Sequence, residues 1–377
     1  MLNEQTNTQH NTSNVPNTHN TPNTHNTPNT YIQHIKGLNY ITSEEPYEVT
    51  IRLTNNCNFN CNYCGYYNNN YKNNNYDDQL NTLKIMITKI VLGLSQTLNN
   101  PLPALKFYLH GGEPTIHKNF FPILELIEHL SKELGFNYKI NVQTNASANQ
   151  KFIDKLDLID TNIIKNLGFI ASFQEHQNEV GQFTWFCMEI VQRDLLVGAD
   201  IMLEDFKAPT SGAYDTVIFA YKWLIELRNH FKKSFVVQTN TINSVPLTSL
   251  KEPYYKEYKK IYTSRIKDYL EVVTETETKI VDYDEFITSE HNNFKMFKCL
   301  VGLKSILIDV SSNHKEDFGI YKCFTDFNER LKVLSYKDLS SKNVNDKFFK
   351  LLKPTVCLHS KCICELQIPK YRVKKGN

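Results

Sequence analysis

Hydrophobic and polar positions from residue 45 onward alternate between a strand pattern and a helix pattern. Tyr47–Thr54 (YEVTIRLT) is rich in β-branched residues and predicts a strand, and apolar residues recur at helical spacing over Gln79–Gln96. The same alternation predicts strands over Ala104–His110, Tyr138–Thr144, Gly168–Phe173, Ala199–Phe206 and Ser234–Thr241, and helices over Phe120–Leu134, Gln150–Ile159, Thr184–Val197 and Ala213–Phe231. Six such units predict an α/β protein with a parallel sheet, either doubly wound or a partial (β/α)6 TIM-like barrel. A TIM-like barrel would place its catalytic and binding residues at the carboxyl ends of the strands.

Two flanking regions lack this alternation. Residues 17–30 read NTHNTPNTHNTPNT, a repeat of period six without an apolar position, so we expect residues 1–36 to form a disordered Asn/Thr/Pro tail. Beyond residue 245 the alternation fades, and residues 295–377 hold five of the nine cysteines. We therefore expect a barrel over residues 45–245 and a cysteine-rich C-terminal domain over residues 246–377.

Charge and hydropathy exclude several classes of function. The chain has 42 Lys and Arg against 40 Asp and Glu, so its net charge of +2 gives no basic field for nucleic acid. It also contains no run of about 18 apolar residues and no apolar secretory segment at its start. We expect a cytoplasmic protein without a membrane span, in which closely spaced cysteines usually hold a metal.

A first group of cysteines directly follows the first predicted strand. Cys57, Cys61 and Cys64 lie in CNFNCNYC with the spacing C-x3-C-x2-C. Three thiolates can face one centre if this polar segment forms a loop. Structural zinc sites and iron–sulfur cubanes normally take four ligands, so a trio leaves one position open on the metal centre. A zinc knuckle that borrows a distant ligand is the alternative.

This motif resembles the signature of the radical S-adenosylmethionine (SAM) superfamily. The resemblance implies that Cys57, Cys61 and Cys64 bind a [4Fe–4S] cluster and that SAM chelates its open iron. It further implies reductive cleavage of SAM to a 5′-deoxyadenosyl radical, which abstracts hydrogen from a substrate. Tyr63 matches the aromatic residue that precedes the third cysteine and would lie near the adenine.

A second motif follows the second predicted strand. KFYLHGGEPT ends in Gly-Gly-Glu-Pro, where glycines let the backbone approach a ligand and a carboxylate can accept bonds from an ammonium group. It resembles the family's GGEP motif, which implies that Gly111, Gly112 and Glu113 bind the methionyl amino group of SAM. His110 matches the HGGEP form found in the SPASM/Twitch branch of the family, or is simply a polar strand end.

Later strand ends match the family less sharply. Gln143 and Asn145 in NVQTNAS face SAM or substrate or else cap a strand, and Ala146 replaces the family's glycine. Ser172 and Arg193 stand where relatives place residues for the SAM ribose and carboxylate, although Arg193 suits a surface charge equally well. Glu204 and Gln238 are weak candidates from two further strand ends. Cys187, on an apolar helical face, is predicted to be a core thiol.

A second group of cysteines resembles the SPASM/Twitch extension, which binds auxiliary iron–sulfur clusters. Cys299 opens a C-x2-G motif, Cys323 follows Gly319, and CLHSKCIC supplies three more thiols. The five candidate ligands are Cys299, Cys323, Cys357, Cys362 and Cys364. They suffice for one cluster, although a zinc site with the same ligands, or with His359, fits the sequence as well.

Two functions of different classes follow. The first is a radical SAM enzyme acting on a peptide, a protein or a small molecule, with a flavodoxin- or ferredoxin-type electron donor. The second is a zinc-stabilised binding protein without catalysis. The colour of the protein purified without oxygen separates them, because iron–sulfur clusters are brown and zinc is colourless.

Overall fold

The structure is a computed structural model that describes most of the predicted barrel and parts of the C-terminal region. The described residues are 46–61, 64, 76–97, 102–174, 179–203, 213–241, 270–273, 278–281, 298–299, 301–312, 314–323, 332–339, 341, 347, 352, 355–357 and 370–371. The predicted tail over residues 1–36 lies outside them.

The predicted alternation of strands and helices is confirmed between residues 47 and 241. The strands are β1 (Tyr47–Thr54), β2 (Leu105–Gly111), β3 (Tyr138–Thr144), β4 (Leu167–Gln174), β5 (Leu196–Leu203) and β6 (Val236–Thr241). The helices are α1 (Tyr76–Thr97), α2 (Phe120–Leu134), α3 (Gln150–Leu156), α4 (Thr161–Asn166), α5 (Val180–Gln192) and α6 (Ala213–His230). The short helix α4 has no counterpart in the sequence prediction.

The six strands pair in parallel in their chain order, from β1 to β6. This is the mixed α/β architecture of a partial TIM-like barrel. Alternate residues of each strand point away from the sheet towards the helices and form the core. Val49, Ile51 and Leu53 on β1 and Phe107 and Leu109 on β2 are completely buried in this layer.

The sheet also continues on the other side of β1 with strands from the C-terminal region. β7 (Leu270–Val273) and β8 (Thr278–Val281) form a separate antiparallel pair, whereas a short helix, α7 (Val301–Lys304), leads into β10 (Ser305–Asp309). β10 pairs in parallel with β1, and β11 (Gly319–Tyr321) and β12 (Leu334–Ser335) follow antiparallel. The region predicted as a separate cysteine-rich domain thus contributes three strands to the barrel's own sheet.

Buried polar bonds fasten β10 to β1. The Tyr47 hydroxyl donates to the Gly302 carbonyl at 2.9 Å. The Gln79 side-chain amide donates to the carbonyls of Leu53 and Val310, both at 2.9 Å, at the point where the two strands end. A buried amide satisfied at both strands fixes their spacing, since an unpaired donor there would cost free energy.

Local chemistry sets the ends of individual elements. Helix α2 ends at Leu134, and the next residue, Gly135, has a φ of 70°, the left-handed conformation that favours glycine at a helix end. Helix α5 was predicted to run to residue 197 but ends at Gln192. Asp194 adopts a φ of 61° there, and the Leu195 N–H bonds to the Ile190 carbonyl, so the chain turns directly into β5. No described helix is both long and apolar enough to cross a membrane.

Candidate functional site

The cysteine loop begins where β1 ends. Cys57, Cys61 and Cys64 are all half-buried, and the Cys64 N–H donates to the Cys61 carbonyl at 3.0 Å. The ends of β2, β3 and β4 reach the same edge of the sheet, since parallel strands share their carboxyl edge. The sequence-predicted glycines and Asn145 therefore meet the cysteine loop at one place.

The Gly-Gly-Glu turn after β2 is bonded directly to the base of the cysteine loop. The Gly112 N–H donates to the Thr54 carbonyl at 2.7 Å, and the Glu113 N–H donates to the Asn56 carbonyl at 2.8 Å. A Cβ on Gly111 would lie 2.3 Å from the Thr54 oxygen, and one on Gly112 would lie 2.0 Å from the Asn56 oxygen. Gly111 also has a φ of 138°, so both positions require glycine for the two backbones to approach this closely.

Glu113 is completely buried, and both its carboxylate oxygens accept bonds from protein groups. Oε1 accepts from the Thr115 N–H at 3.0 Å, the Thr115 hydroxyl at 2.6 Å and the Thr144 hydroxyl at 2.8 Å. Oε2 accepts from the Asn145 N–H at 2.6 Å. Burial raises the pKa of Glu113, and these donors oppose the rise. The carboxylate thus joins the ends of β2 and β3, and its predicted contact with the SAM ammonium group stays a prediction.

Asn145 connects this carboxylate to the cysteine loop. Its side-chain Nδ2 lies 3.7 Å from the Cys57 sulfur and donates to Asn58 Oδ1 at 3.0 Å. Ser147 closes the network, because its hydroxyl accepts from Asn58 Nδ2 at 2.8 Å. Asn58 and Ser147 were not predicted as partners, since their pairing depends on the meeting of two loops.

The sulfur of Cys57 is half-buried and accepts from one backbone donor. Burial raises the pKa of the Cys57 thiol to about 11, the Phe59 N–H at 3.4 Å opposes the rise, and the Glu113 carboxylate and the neighbouring thiols Cys61 and Cys64 add to it. Metal binding requires the thiolate, which a bound cation stabilises.

Gln174, the last residue of β4, was not singled out from the sequence. Its Oε1 accepts from the Cys61 thiol at 3.0 Å. Ser172 is buried two residues earlier and therefore faces the same side of the sheet. Gln143 Nε2 reaches the Ser172 hydroxyl at 3.5 Å, at the limit of a hydrogen bond. The predicted positions Gln143 and Ser172 thus lie side by side below the cysteine loop.

Polar residues continue this inward face across the sheet. Ser172 is in register with Asp200, and Asp200 with Gln238, whose amide donates to the Asp200 carboxylate. On the other side, Arg52 is in register with both His110 and Asp309. Burial, together with the Arg52 charge, lowers the pKa of His110 to about 3, so His110 is neutral at physiological pH.

Arg193 is not part of this cluster. It follows α5 at the opposite edge of the sheet, where its guanidinium pairs with Asp157 at 2.6 Å and with Glu189 at 2.7 Å. Cys187 on α5 is completely buried, as a core thiol would be. Tyr63 and Glu204 lie outside the described residues. The contacts predicted for Arg193 and Tyr63 with SAM stay predictions.

Three of the five C-terminal cysteines lie in described segments. β9 (Lys298–Cys299) pairs with β13 (Thr355–Val356) and β14 (Lys370–Tyr371), and Cys299 stands opposite Thr355. Cys357 follows Thr355 by two residues, so this pairing brings Cys299 and Cys357 to the same small sheet. Cys323 follows β11, and Cys362, Cys364 and His359 lie outside the described residues.

The donor set at the cysteine loop fits an iron–sulfur cluster. It consists of three thiols within eight residues, on a loop whose base is clamped by the glycine turn. Among the described residues, no three or more His, Cys, Asp and Glu side chains converge closely enough to hold a single metal ion. A cubane attaches each thiolate to a different iron, so its ligands surround a larger volume than those of one ion.

The cysteine loop, the glycine turn and Asn145 all fall within the part of the chain that matches a known family. Residues 51–166, from within β1 to the end of α4, match the model of the Radical SAM superfamily. The resemblance to this superfamily is thereby confirmed for the barrel's first half. The match does not extend to the C-terminal cysteines, and their resemblance to the SPASM/Twitch extension stays a prediction.

Comparison with solved structures gives distant likenesses. The chain is 14% identical to Streptococcus suis SuiB bound to the precursor peptide SuiA, with a TM-score of 0.45 and coverage of 90% of this chain and 73% of that one. It is 16% identical to anSMEcpe with bound AdoMet, with a TM-score of 0.44 and coverage of 82% and 84%. At these TM-scores the likenesses carry no functional argument. No curated protein matches the sequence.

Proposed function

We propose that this protein, a radical SAM enzyme by the domain at residues 51–166, binds a [4Fe–4S] cluster through Cys57, Cys61 and Cys64 and cleaves SAM reductively. When bound, such a cluster supplies the electron that releases a 5′-deoxyadenosyl radical from SAM, and the radical abstracts hydrogen from the substrate. The substrate is a peptide, a protein or a small molecule, and a flavodoxin- or ferredoxin-type protein is the electron donor.

The observation that carries the proposal is the bonding between the glycine turn and the cysteine loop. Two backbone hydrogen bonds, of 2.7 and 2.8 Å, join Gly112 and Glu113 to the residues immediately before Cys57. They hold the turn that would face SAM at a fixed position relative to the thiols that would hold iron. Such preorganisation is what a reaction between a bound cofactor and a metal centre requires.

The surrounding side chains have separate roles in this arrangement. The Glu113 carboxylate holds the ends of β2 and β3 together from a fully buried position. Ser172 and Gln143 present polar groups on the inward face below the loop, where we expect the ribose of SAM or the substrate. His110 stays neutral, so it contributes no positive charge next to Arg52.

We further propose that Cys299, Cys323, Cys357, Cys362 and Cys364 supply the ligands of one auxiliary cluster. The pairing of β9 with β13, which brings Cys299 near Cys357, supports a shared centre. Zinc at this centre would leave the first cluster and the SAM chemistry unchanged.

The test uses the full chain, purified without oxygen and reconstituted with iron and sulfide. We expect a brown protein that forms 5′-deoxyadenosine and methionine from SAM when dithionite is added. A colourless protein that binds zinc and leaves SAM intact would overturn the proposal. Omission of dithionite is the control, because reductive cleavage depends on the supplied electron.

A further inference from the structure

The side chain of Asn145 is held in one orientation. Its Oδ1 accepts from the backbone N–H of Ser147 at 3.1 Å and also from the Ser147 hydroxyl. Because a backbone N–H can donate only to the oxygen of an amide, the Ser147 N–H assigns the oxygen and leaves Nδ2 on the other side, and the hydroxyl contact is compatible with that assignment. On that side lie the Cys57 sulfur at 3.7 Å and Asn58 Oδ1 at 3.0 Å.

The backbone beneath this side chain is equally well fixed. The Asn145 N–H donates to the buried Glu113 carboxylate at 2.6 Å, and the next residue, Ala146, adopts a φ of 59° with its N–H bonded to the Thr144 hydroxyl at 3.1 Å. Asn145 itself is only 6% exposed. The amide donor is therefore preorganised, and pointing it at the sulfur costs little additional conformational entropy.

We infer that Asn145 is a positioning residue that donates an N–H···S hydrogen bond to Cys57 and thereby raises the reduction potential of the cluster. This inference rests on the proposed cluster at Cys57, Cys61 and Cys64. A donor at a ligating sulfur stabilises the additional negative charge of the reduced cluster, so reduction becomes easier. The Phe59 N–H, at 3.4 Å from the same sulfur, makes Cys57 a ligand with two donors.

Three substitutions separate this role from a purely structural one. Asn145→Asp keeps the size and the oxygen that Ser147 needs, but it removes the donor and adds a negative charge. Asn145→Leu removes the donor without adding charge, and Asn145→Thr retains a shorter hydroxyl donor. Asn162→Leu, an exposed position on α4 away from the cysteine loop, is the matched control.

The measurement is the midpoint potential of the full-length, reconstituted protein, titrated without SAM and followed by electron paramagnetic resonance. We expect a more negative potential in Asn145→Leu, a larger negative shift in Asn145→Asp and an intermediate value in Asn145→Thr. Asn162→Leu should titrate like the wild type. Iron content and melting temperature are measured on the same samples.

The outcomes distinguish this inference from the proposed function. Wild-type potentials in the Leu and Asp variants at full iron content would overturn the inference and leave the proposed function intact. Loss of iron from all three variants at an unchanged melting temperature would overturn the effect on the potential, because Asn145 would then only hold the loop. A wild-type protein without any iron–sulfur signal would overturn the proposed function, and the inference with it.

Discussion

The carboxylate of Glu113 accepts the backbone N–H of Asn145 at 2.6 Å, and this bond joins the ends of β2 and β3 beneath the cysteine loop. Three further donors, from Thr115 and Thr144, complete the environment of the carboxylate. Glu113 has no exposed surface, and its bonds to Thr144 and Asn145 hold the ends of the two strands together. The Gly-Gly-Glu turn, which resembles a SAM-binding motif, therefore also connects two strand ends beneath the cysteine loop.

Replacing Glu113 with Gln tests this connection. The amide places an NH₂ group against an N–H or O–H donor on one side, so we expect the unfolding free energy to fall by ~1–3 kcal/mol. Thermal unfolding measures the loss. Glu128→Gln is the control, since Glu128 accepts a comparable 2.6 Å bond from the Tyr138 hydroxyl far from the cysteine loop. Weaker SAM binding at an unchanged melting temperature would instead favour direct contact of Glu113 with SAM.

Replacing Gly112 with Ala tests the close approach of the glycine turn to the loop. The added Cβ would lie 2.0 Å from the Asn56 carbonyl oxygen, which is backbone and has little freedom to move. We expect a loss of ~1–3 kcal/mol or more and reduced iron loading, because Cys57 follows Asn56 directly. Gly181→Ala on α5 should be tolerated, since nothing lies within 4 Å of the added carbon. Equal iron content in the two variants would refute the proposed clamp.

Elements with a strong apolar periodicity, and with ends set by residues nearby in the chain, were predicted well from the sequence. β1, α2 and β3 have their predicted bounds, because their alternating or helical apolar positions are visible in the sequence. The end of α5 was predicted five residues late, because the apolar pair Leu195 and Leu196 continues the helical pattern and the turn at Asp194 overrides it.

The features that the sequence did not predict depend on distant pairing. β10 lies beside β1 although more than 250 residues separate partners such as Glu48 and Ser305, and no local pattern specifies such a neighbour. The contact of Gln174 with Cys61 arises in the same way, from the closure of the sheet. The meeting of the cysteine loop with the glycine turn was predictable, because parallel strands share their carboxyl edge, whereas the cluster and SAM roles of these motifs stay predictions.

Removing single thiols of the cysteine loop tests the cluster. Cys57→Ala, Cys61→Ala and Cys64→Ala should each abolish formation of 5′-deoxyadenosine, because two thiolates cannot hold a cubane with an open iron. Product formation is measured by chromatography after addition of dithionite. Cys187→Ala is the control, since this thiol is buried in the core on α5, and it should retain iron. Wild-type turnover in any of the three loop variants would contradict the assignment.

Removing Cys299 and Cys357 together tests the C-terminal centre, because three of the five candidate thiols then remain. If that centre is a second [4Fe–4S] cluster, the wild-type chain should hold about eight irons, and the double variant Cys299→Ala, Cys357→Ala should hold about four. Cleavage of SAM without substrate should continue, because the first cluster is untouched. The measurement is elemental analysis of iron and zinc on the same samples. About four irons and one zinc in the wild type would assign a structural zinc site instead.

Replacing Tyr47 with Phe tests whether the C-terminal region is part of the barrel. The Tyr47 hydroxyl donates a buried hydrogen bond of 2.9 Å to the Gly302 carbonyl. Tyr47→Phe leaves this carbonyl without its donor, so we expect a loss of ~1 kcal/mol and faster hydrogen exchange over residues 301–309. Tyr138→Phe removes another buried hydroxyl bond, to Glu128, and should not change exchange in that segment. β10 flanks β1, and the Val310 N–H bonds to the Arg52 carbonyl. Loosening β10 should therefore also lower iron retention at the cysteine loop. Unchanged exchange over residues 301–309 in Tyr47→Phe would show that β10 is held by strand pairing alone.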